Sequence, residues 1–192
     1  MSTSEASSSM RLVWPSSEYL PGYIRALERG WSPDNLRPEA AQEELELIFV
    51  DPAQFLDKLI DREAKGSLIT LPNGTTVAKL PGYRRWLWDG EFCGSIGLRW
   101  QRGSNELPDY CPGHIGYSVV PWKSGQGYAT AALRSLLLDA PCEGLAYVDI
   151  TTSPDNLASQ RVIQANGGVF IEAFIKPPET GGTPELRFRI TF

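Results

Sequence analysis

The chain has 192 residues, 42% of them apolar and 21% charged, with a net charge of −5; this fits one globular domain with a real core and excludes a disordered or collagenous polymer. The acidic balance argues against a nucleic-acid binder, and no apolar run approaches the roughly 20 residues that span a bilayer. Three scattered cysteines and a single histidine form no C-x-x-C pair, so no metal site and no disulfide scaffold is expected, and isolated thiols suit a reducing cytoplasm.

The polar, acidic start reads as a disordered tail (residues 1–12) ahead of a single domain over 13–192. Helices are expected from Leu20 to Arg29, from Glu39 to Ile48 and from Pro52 to Glu63, the last with Asp51 as cap and Pro52 in its first turn. A strand-rich block follows. Asn73-Gly74 is a turn between Ser67–Leu71 and Thr75–Leu80, and Asp89-Gly90 is another between Tyr83–Trp88 and Glu91–Trp100. Trp86, Trp88, Phe92 and Trp100 read as core, with an acceptor-pocket wall as the sharper alternative for one of them.

A polar loop, Gln101–Gly113, leads into an apolar strand from Ile115 to Val120. Pro121 stops that strand, Lys123–Gly127 form a glycine-containing loop, and a helix follows over Tyr128–Ala140 with Leu133–Leu137 as its core stripe. Leu145–Thr151 is a β-branched strand. Ser153 is the expected cap of the next helix, which ends at Asn166-Gly167-Gly168. Val169–Lys176 and Glu185–Phe192 close the fold, with Arg187 and Arg189 alternating against Leu186 and Phe188 as on a half-exposed strand. The order describes an α+β fold with a mixed sheet.

A strand feeding a Gly-x-Gly loop at a helix N-terminus is a place to hold phosphate, because glycine lets the backbone approach and first-turn N–H groups favour an anion. A nucleoside-triphosphate P-loop is excluded, since no lysine and hydroxyl pair follows Gly127. A dinucleotide fingerprint gains some support from Asp149 at about the right spacing. Against it, four residues (Pro121–Ser124) separate strand from glycines, and Thr130 occupies the third glycine position.

The stretch Val119-Val120-Pro121-Trp122-Lys123-Ser124-Gly125-Gln126-Gly127-Tyr128-Ala129-Thr130 resembles the acyl-CoA loop of the GCN5-related N-acetyltransferase (GNAT) superfamily, Arg/Gln-x-x-Gly-x-Gly/Ala. A second landmark, Asn156-Leu157-Ala158-Ser159 after the next strand, is similar to the family's Asn-x-x-Ala/Ser. The resemblance runs from about residue 20 to the C-terminus and looks closest to a bacterial branch of predicted acetyltransferases, whose pattern also resembles Trp86–Phe92 and Leu186–Ile190.

The resemblance implies a GNAT fold: a mostly antiparallel central sheet, flanked by helices, whose fourth and fifth strands splay apart. It implies acetyl-CoA as cosubstrate, no metal, and direct acetyl transfer to a primary amine in a ternary complex. Backbone N–H groups of Gly125, Gln126, Gly127, Tyr128, Ala129 and Thr130 would wrap the CoA diphosphate. Val119 and Val120 would pair with the pantetheine arm, Asn156 would bind or brace it, and Ser159 would sit near the CoA end. Ser124 stands where the family has Arg/Gln, with Lys123 beside it as a compensating point charge. Ile163 stands where many members carry a tyrosine that protonates the leaving thiolate, so water or Tyr147 is left for that step. His114 leads the candidates for general base, followed by Asp149, Glu106 and Asp109. The alternative is an acetyl-CoA-binding module without catalysis, to which Ser124, Ile163 and the lack of an obvious base point. The acceptor is expected to be a small-molecule or peptide amine, and the chain a monomer or homodimer, with neither nucleic acid nor membrane as partner.

Overall fold

The computed structural model describes residues 9–35, 37–66, 68–71 and 73–192. A short strand, β1 (Arg11–Val13), precedes three helices, α1 (Leu20–Glu28), α2 (Ala40–Val50) and α3 (Pro52–Lys58). Small strands β2 (Ile60–Asp61), β3 (Ile69–Thr70) and β4 (Thr76–Val77) follow, then the long hairpin of β5 (Gly82–Trp88) and β6 (Phe92–Arg99). Next come β7 (Ile115–Val119), α4 (Tyr128–Leu137), β8 (Tyr147–Thr152), α5 (Leu157–Gln164), β9 (Val169–Ile175) and β10 (Pro184–Thr191).

Two sheets carry the architecture. One runs β1-β5-β6-β7, with β2 also on β5, and the other runs β8-β10-β9. Every ladder is antiparallel, while β7 and β8 are joined through α4, the kind of crossover that parallel neighbours require. This is the expected α+β architecture with its interrupted sheet.

Strand alternation sorts the interior into two layers. Leu87, Ile96 and Leu98 face α4 and α5 with Leu133, Leu136 and Ile163. Trp86 and Phe92 face the other way, onto Tyr23, Trp31 and Phe55 of the α1–α3 layer. Tyr23 stacks on Trp86 with centroids 4.6 Å apart. Its hydroxyl donates to Glu44, which also accepts from Arg84 at 3.0 Å, so one carboxylate ties α1, α2 and β5.

Several boundaries differ from those read in the sequence. The third helix stops at Lys58, because Ile60 and Asp61 pair with Tyr83 and Gly82 as a strand. The Asn73-Gly74 hairpin is reduced to two-residue strands; Ser67 and Pro72 of that expectation lie outside the described residues. Asn156, not Ser153, caps α5: its Oδ1 accepts from Ser159 N–H at 3.0 Å. β1 takes in Arg11 and Leu12, paired with Trp88 and Leu87, while residues 1–8 of the expected tail fall outside the described part.

One glycine positions β7. Gly94 has φ of 150°, and a Cβ there would meet Ser118 O at 2.3 Å. Gly94→Ala therefore clashes with the neighbouring backbone and forces an unfavourable dihedral, which costs roughly 1–3 kcal/mol before any clash is counted. Urea denaturation of the variant is expected to show a loss of at least that size.

Candidate functional site

The two sheets meet at one joint. His114 N–H donates to Asp149 O at 2.7 Å, and Asp149 N–H donates back to His114 Nδ1 at 2.9 Å. Among the described residues no ladder links β7 to β8 beyond this point. The hydrogen-bond phase says what the strands do there. Val120 N–H donates to Cys93 O and Arg99 N–H to His114 O, so the even-numbered residues of β7 spend their backbone groups on β6. Ile115, Tyr117 and Val119 turn theirs toward β8. Phe192 N–H donates to Ala146 O, so Tyr147, Asp149 and Thr151 face back across the gap by the same rule. Asn35, from the loop after α1, fills one place by donating to Tyr117 O at 3.2 Å. Of the two valines expected to pair with a ligand, Val119 presents its backbone to the gap and Val120 does not.

At the far end of the gap lies the glycine loop. Gly125 and Gly127 have φ of 76° and 77°, and a Cβ at either would meet nothing within 4 Å. Such dihedrals favour glycine, and the empty space in front of the backbone is what a diphosphate cradle needs. Gly127 is the N-cap of α4 with no side-chain cap, which leaves first-turn N–H groups for a ligand. Ser124, Gly125, Gln126 and Gly127 are exposed or nearly so, and Tyr128, Ala129 and Thr130 are half-buried. Asn156 and Ser159 stand on the α5 side of the gap. Asn156 has given its carbonyl to the helix cap, so its amide NH2 is the part left to address a ligand.

The loop is stapled at both ends by one carboxylate that the sequence did not reveal as part of the site. Asp89 Oδ2, from the β5–β6 turn, accepts from Lys123 Nζ at 2.8 Å and from Tyr128 Oη at 2.6 Å. Burial alone would raise the Asp89 pKa, but the hydrogen bonds from Lys123, Tyr128 and neighbouring donors outweigh it and hold the carboxyl at about 2. The same bond is the main reason Tyr128 is pushed up to about 12. Lys123 is thus occupied in the staple and is not a free charge beside Ser124.

Tyr117 was also missed. Its hydroxyl lies 2.8 Å from Ser159 Oγ, bridging β7 to α5. Burial pushes its pKa up and outweighs the Ser159 hydrogen bond, which acts in the opposite direction. Ile163, at the expected acid position, is fully buried in the core.

On the other side of the joint, the Gln101–Gly113 loop and the face of β8, β10 and β9 enclose a cavity of about 330 Å³. It gathers His114, Tyr147, Asp149, Glu106 and Asp109 in one place. Asp149 is gripped by Arg189 through Nε at 2.7 Å and NH2 at 2.8 Å, and the same guanidinium stacks 3.5 Å above Tyr147. His114 is buried, and burial lowers its pKa. Its Nδ1 lone pair is committed to Asp149 N–H, so the imidazole is neutral with its proton on Nε2. That nitrogen is a donor. Among the described residues no cluster of His, Cys, Asp and Glu could hold a metal, and no helix is long and apolar enough to cross a membrane.

The Asp89 staple has a signed pH dependence. Its folded-state pKa, about 2, lies below the ordinary 3.8, so its stabilisation is complete above the ordinary value and drains away as pH falls through the lower one. Asp89→Asn is expected to lower Tm at neutral pH, with the difference from the wild type closing as pH falls toward that value. A difference that stays constant in melts across acid pH would show that the staple is not ionic.

Comparison with known proteins bears on this geometry. A family model described as "Acetyltransferase (GNAT) domain" matches residues 25–169. No curated protein sequence matches the chain. Among solved structures, the microcin C7 self-immunity acetyltransferase MccE in complex with acetyl-CoA and AMP aligns with a TM-score of 0.62 at 13% identity, covering 95% of this chain and 92% of that one. RimL, a ribosomal L7/L12 alpha-N-protein acetyltransferase in complex with coenzyme A, gives 0.60 at 12% identity, covering 95% and 94%. A chimera of Vibrio cholerae spermidine N-acetyltransferase SpeG with hSSAT gives 0.59 at 12%, covering 95% of each. These likenesses concern the fold. With the family model spanning most of the domain, the chain belongs to the GNAT acetyltransferase family.

Proposed function

We propose that the protein is an acetyl-CoA-dependent N-acetyltransferase of the cytoplasm, passing the acetyl group directly to a primary amine while both substrates are bound. The observation that carries this reading is the gap itself. Two strands are fastened at His114–Asp149, and an open glycine loop on a bare helix N-terminus stands at the other end.

Acetyl-CoA supplies an activated acetyl group and leaves as a thiolate that must be protonated. The chain's residues divide the remaining work. N–H groups from Gly125 to Thr130 receive the diphosphate, with Ser124 contributing no charge. Val119 offers its backbone groups and Tyr117 its N–H to the pantetheine arm, since Asn35 already holds the Tyr117 carbonyl, and Asn156 and Ser159 line it from α5. A backbone N–H on this stretch of β7 stabilises the acetyl oxygen as negative charge grows, an effect typically worth ~2.7–4 kcal/mol per donor. Tyr117, paired with Ser159, delivers the proton that Ile163 cannot. Glu106 and Asp109 take the amine's proton through water, because His114 has no free lone pair in this arrangement. Asp149 and Tyr147 act by holding Arg189 in the cavity wall.

The acceptor amine enters through the cavity on the opposite side of the joint from the glycine loop. Relatives by fold bear names that specify a ribosomal-protein α-amine and spermidine, which supports an amine as acceptor. A CoA-binding module without turnover is the second reading. The buried Ile163 and the committed His114 favour it.

Two variants test the assignment. Gly127→Asp places bulk and negative charge in the cradle, at a strain cost of only about 1–3 kcal/mol, and is expected to abolish acetyl-CoA binding in calorimetry while the protein stays folded. Retained affinity would remove the loop from the site. Tyr117→Phe is expected to lower kcat about 10²-fold or more with acetyl-CoA affinity little changed, measured by thiol release with an amine panel. A wild type that binds acetyl-CoA but turns over no amine would favour the second reading.

A further inference from the structure

His114 is a buried titratable side chain that takes no part in the proposed transfer. It is 1% exposed, and each of its hydrogen-bonding groups except Nε2 is engaged at the joint or beside it. Its N–H donates to Asp149 O at 2.7 Å and its carbonyl accepts from Arg99 N–H at 2.9 Å. Nδ1 accepts from Asp149 N–H at 2.9 Å. The neutral ring carries its one proton on Nε2, so a second proton has only Nδ1 to go to. There it would stand N–H against N–H with Asp149. The joint has no slack to absorb this. A Cβ added to Gly113 would meet Thr151 N at 3.3 Å and Asp149 O at 3.5 Å, so the chain entering β7 already presses on β8.

Burial holds the His114 pKa below its ordinary 6.5, against groups that pull the other way. The Asp149 carboxylate and the backbone of Asn105 and Asp149 favour a charged ring, while Arg99 on β6 opposes one. Arg189 and Arg187 of β10 stand 2.7 and 3.6 Å from the Asp149 carboxylate and offset its charge. Arg187 is itself held by Glu172 of β9. Tyr147 presents its ring at a centroid distance of 6.2 Å, and Glu106, Asp109 and Cys111 of the loop share the adjoining cavity.

Strands that part give the imidazole water and its ordinary affinity for protons. Below pH 6.5 the parted state therefore takes up a proton that the closed joint refuses, and acid favours parting by up to about tenfold per pH unit. The effect is absent above the ordinary value and stops growing once pH passes the lower, folded-state value.

We propose that the His114–Asp149 joint is an acid-operated release: a proton taken up on His114 Nδ1 parts β7 from β8, the gap loses its fixed end, and its hold on acetyl-CoA weakens. The last step rests on the transferase reading; the parting of the strands does not.

The test follows hydrogen exchange at the Asp149 amide of the full chain between about pH 7.5 and 5, corrected for the intrinsic pH dependence of exchange. Acetyl-CoA affinity is measured by calorimetry over the same range. Asp149 protection is expected to fall about tenfold or more toward the acid end, while amides of the β8–β10 ladder keep theirs. The acetyl-CoA Kd is expected to rise severalfold as the closed fraction falls. His114→Asn keeps an acceptor at the δ1 position and cannot titrate. Its Asp149 protection should not move with pH, and its Kd should carry only the titration of the ligand's own phosphate. Asp149 protection that ignores pH in the wild type would overturn the proposal, with no variant needed. So would an equal loss in His114→Asn, or a wild-type rise in Kd no greater than the variant's. A protein that binds no acetyl-CoA at any pH would overturn the transferase reading and the last step with it, while exchange at Asp149 still decides the parting of the strands.

Discussion

The reciprocal hydrogen bonds between His114 and Asp149 are the constraint from which the rest of the molecule's working shape follows. Sheet edges rarely stay unpaired in a protein interior, because exposed N–H and C=O groups are costly to leave without partners. Here β7 and β8 come from different sheets, lie side by side, and among the described residues are hydrogen-bonded to each other at one residue pair only. Asp149 does double duty. Its backbone closes the joint while its carboxylate, held by Arg189, stiffens the floor of the adjacent cavity. Gap and cavity are therefore two consequences of one local arrangement, one on each side of it.

The second organising element is electrostatic. Asp89 reaches the glycine loop from a turn far away in sequence and takes hold of both its flanks, Lys123 and Tyr128. A loop whose two glycines adopt left-handed dihedrals is entropically costly to order. Fixing its ends on a low-pKa carboxylate shifts that cost from ligand binding to folding. Under the proposed function, preorganisation of this kind would offset the missing charge at Ser124 more directly than a mobile lysine would. Arg29, stacked 3.6 Å over Trp122 at the loop's entrance, adds a further brace.

What could be read from the sequence was whatever depended on neighbours in the sequence. The glycine pair, the strand before it and the Asn156–Ser159 turn are local patterns, and each was found where the folded chain has it. The cap of α5 was misplaced by three residues because Ser153 and Asn156 are both good capping residues, and only the folded backbone chooses between them. The third helix was read too long because nothing local says that Ile60 and Asp61 will find a strand partner in β5. Asp89 looked like an ordinary Asp-Gly turn residue, since its partners lie 34 and 39 positions away. His114 was singled out for its chemistry in water, whereas its tautomer is set by a backbone N–H 35 residues distant. Tyr117 was hidden within an apolar strand, and Ser159, which marks it, lies 42 residues on.

The chain has one histidine, and that histidine is the joint. Any histidine imidazole resonance in a nuclear magnetic resonance spectrum of this protein therefore comes from the joint between the two sheets. The nitrogen shifts of its ring distinguish a proton on Nε2 from one on Nδ1, so they report whether the fastening is made. Exchange broadening of the same signal would time its opening. With uniform nitrogen-15 enrichment, the molecule carries its own site-specific reporter, and no residue has to be substituted or tagged.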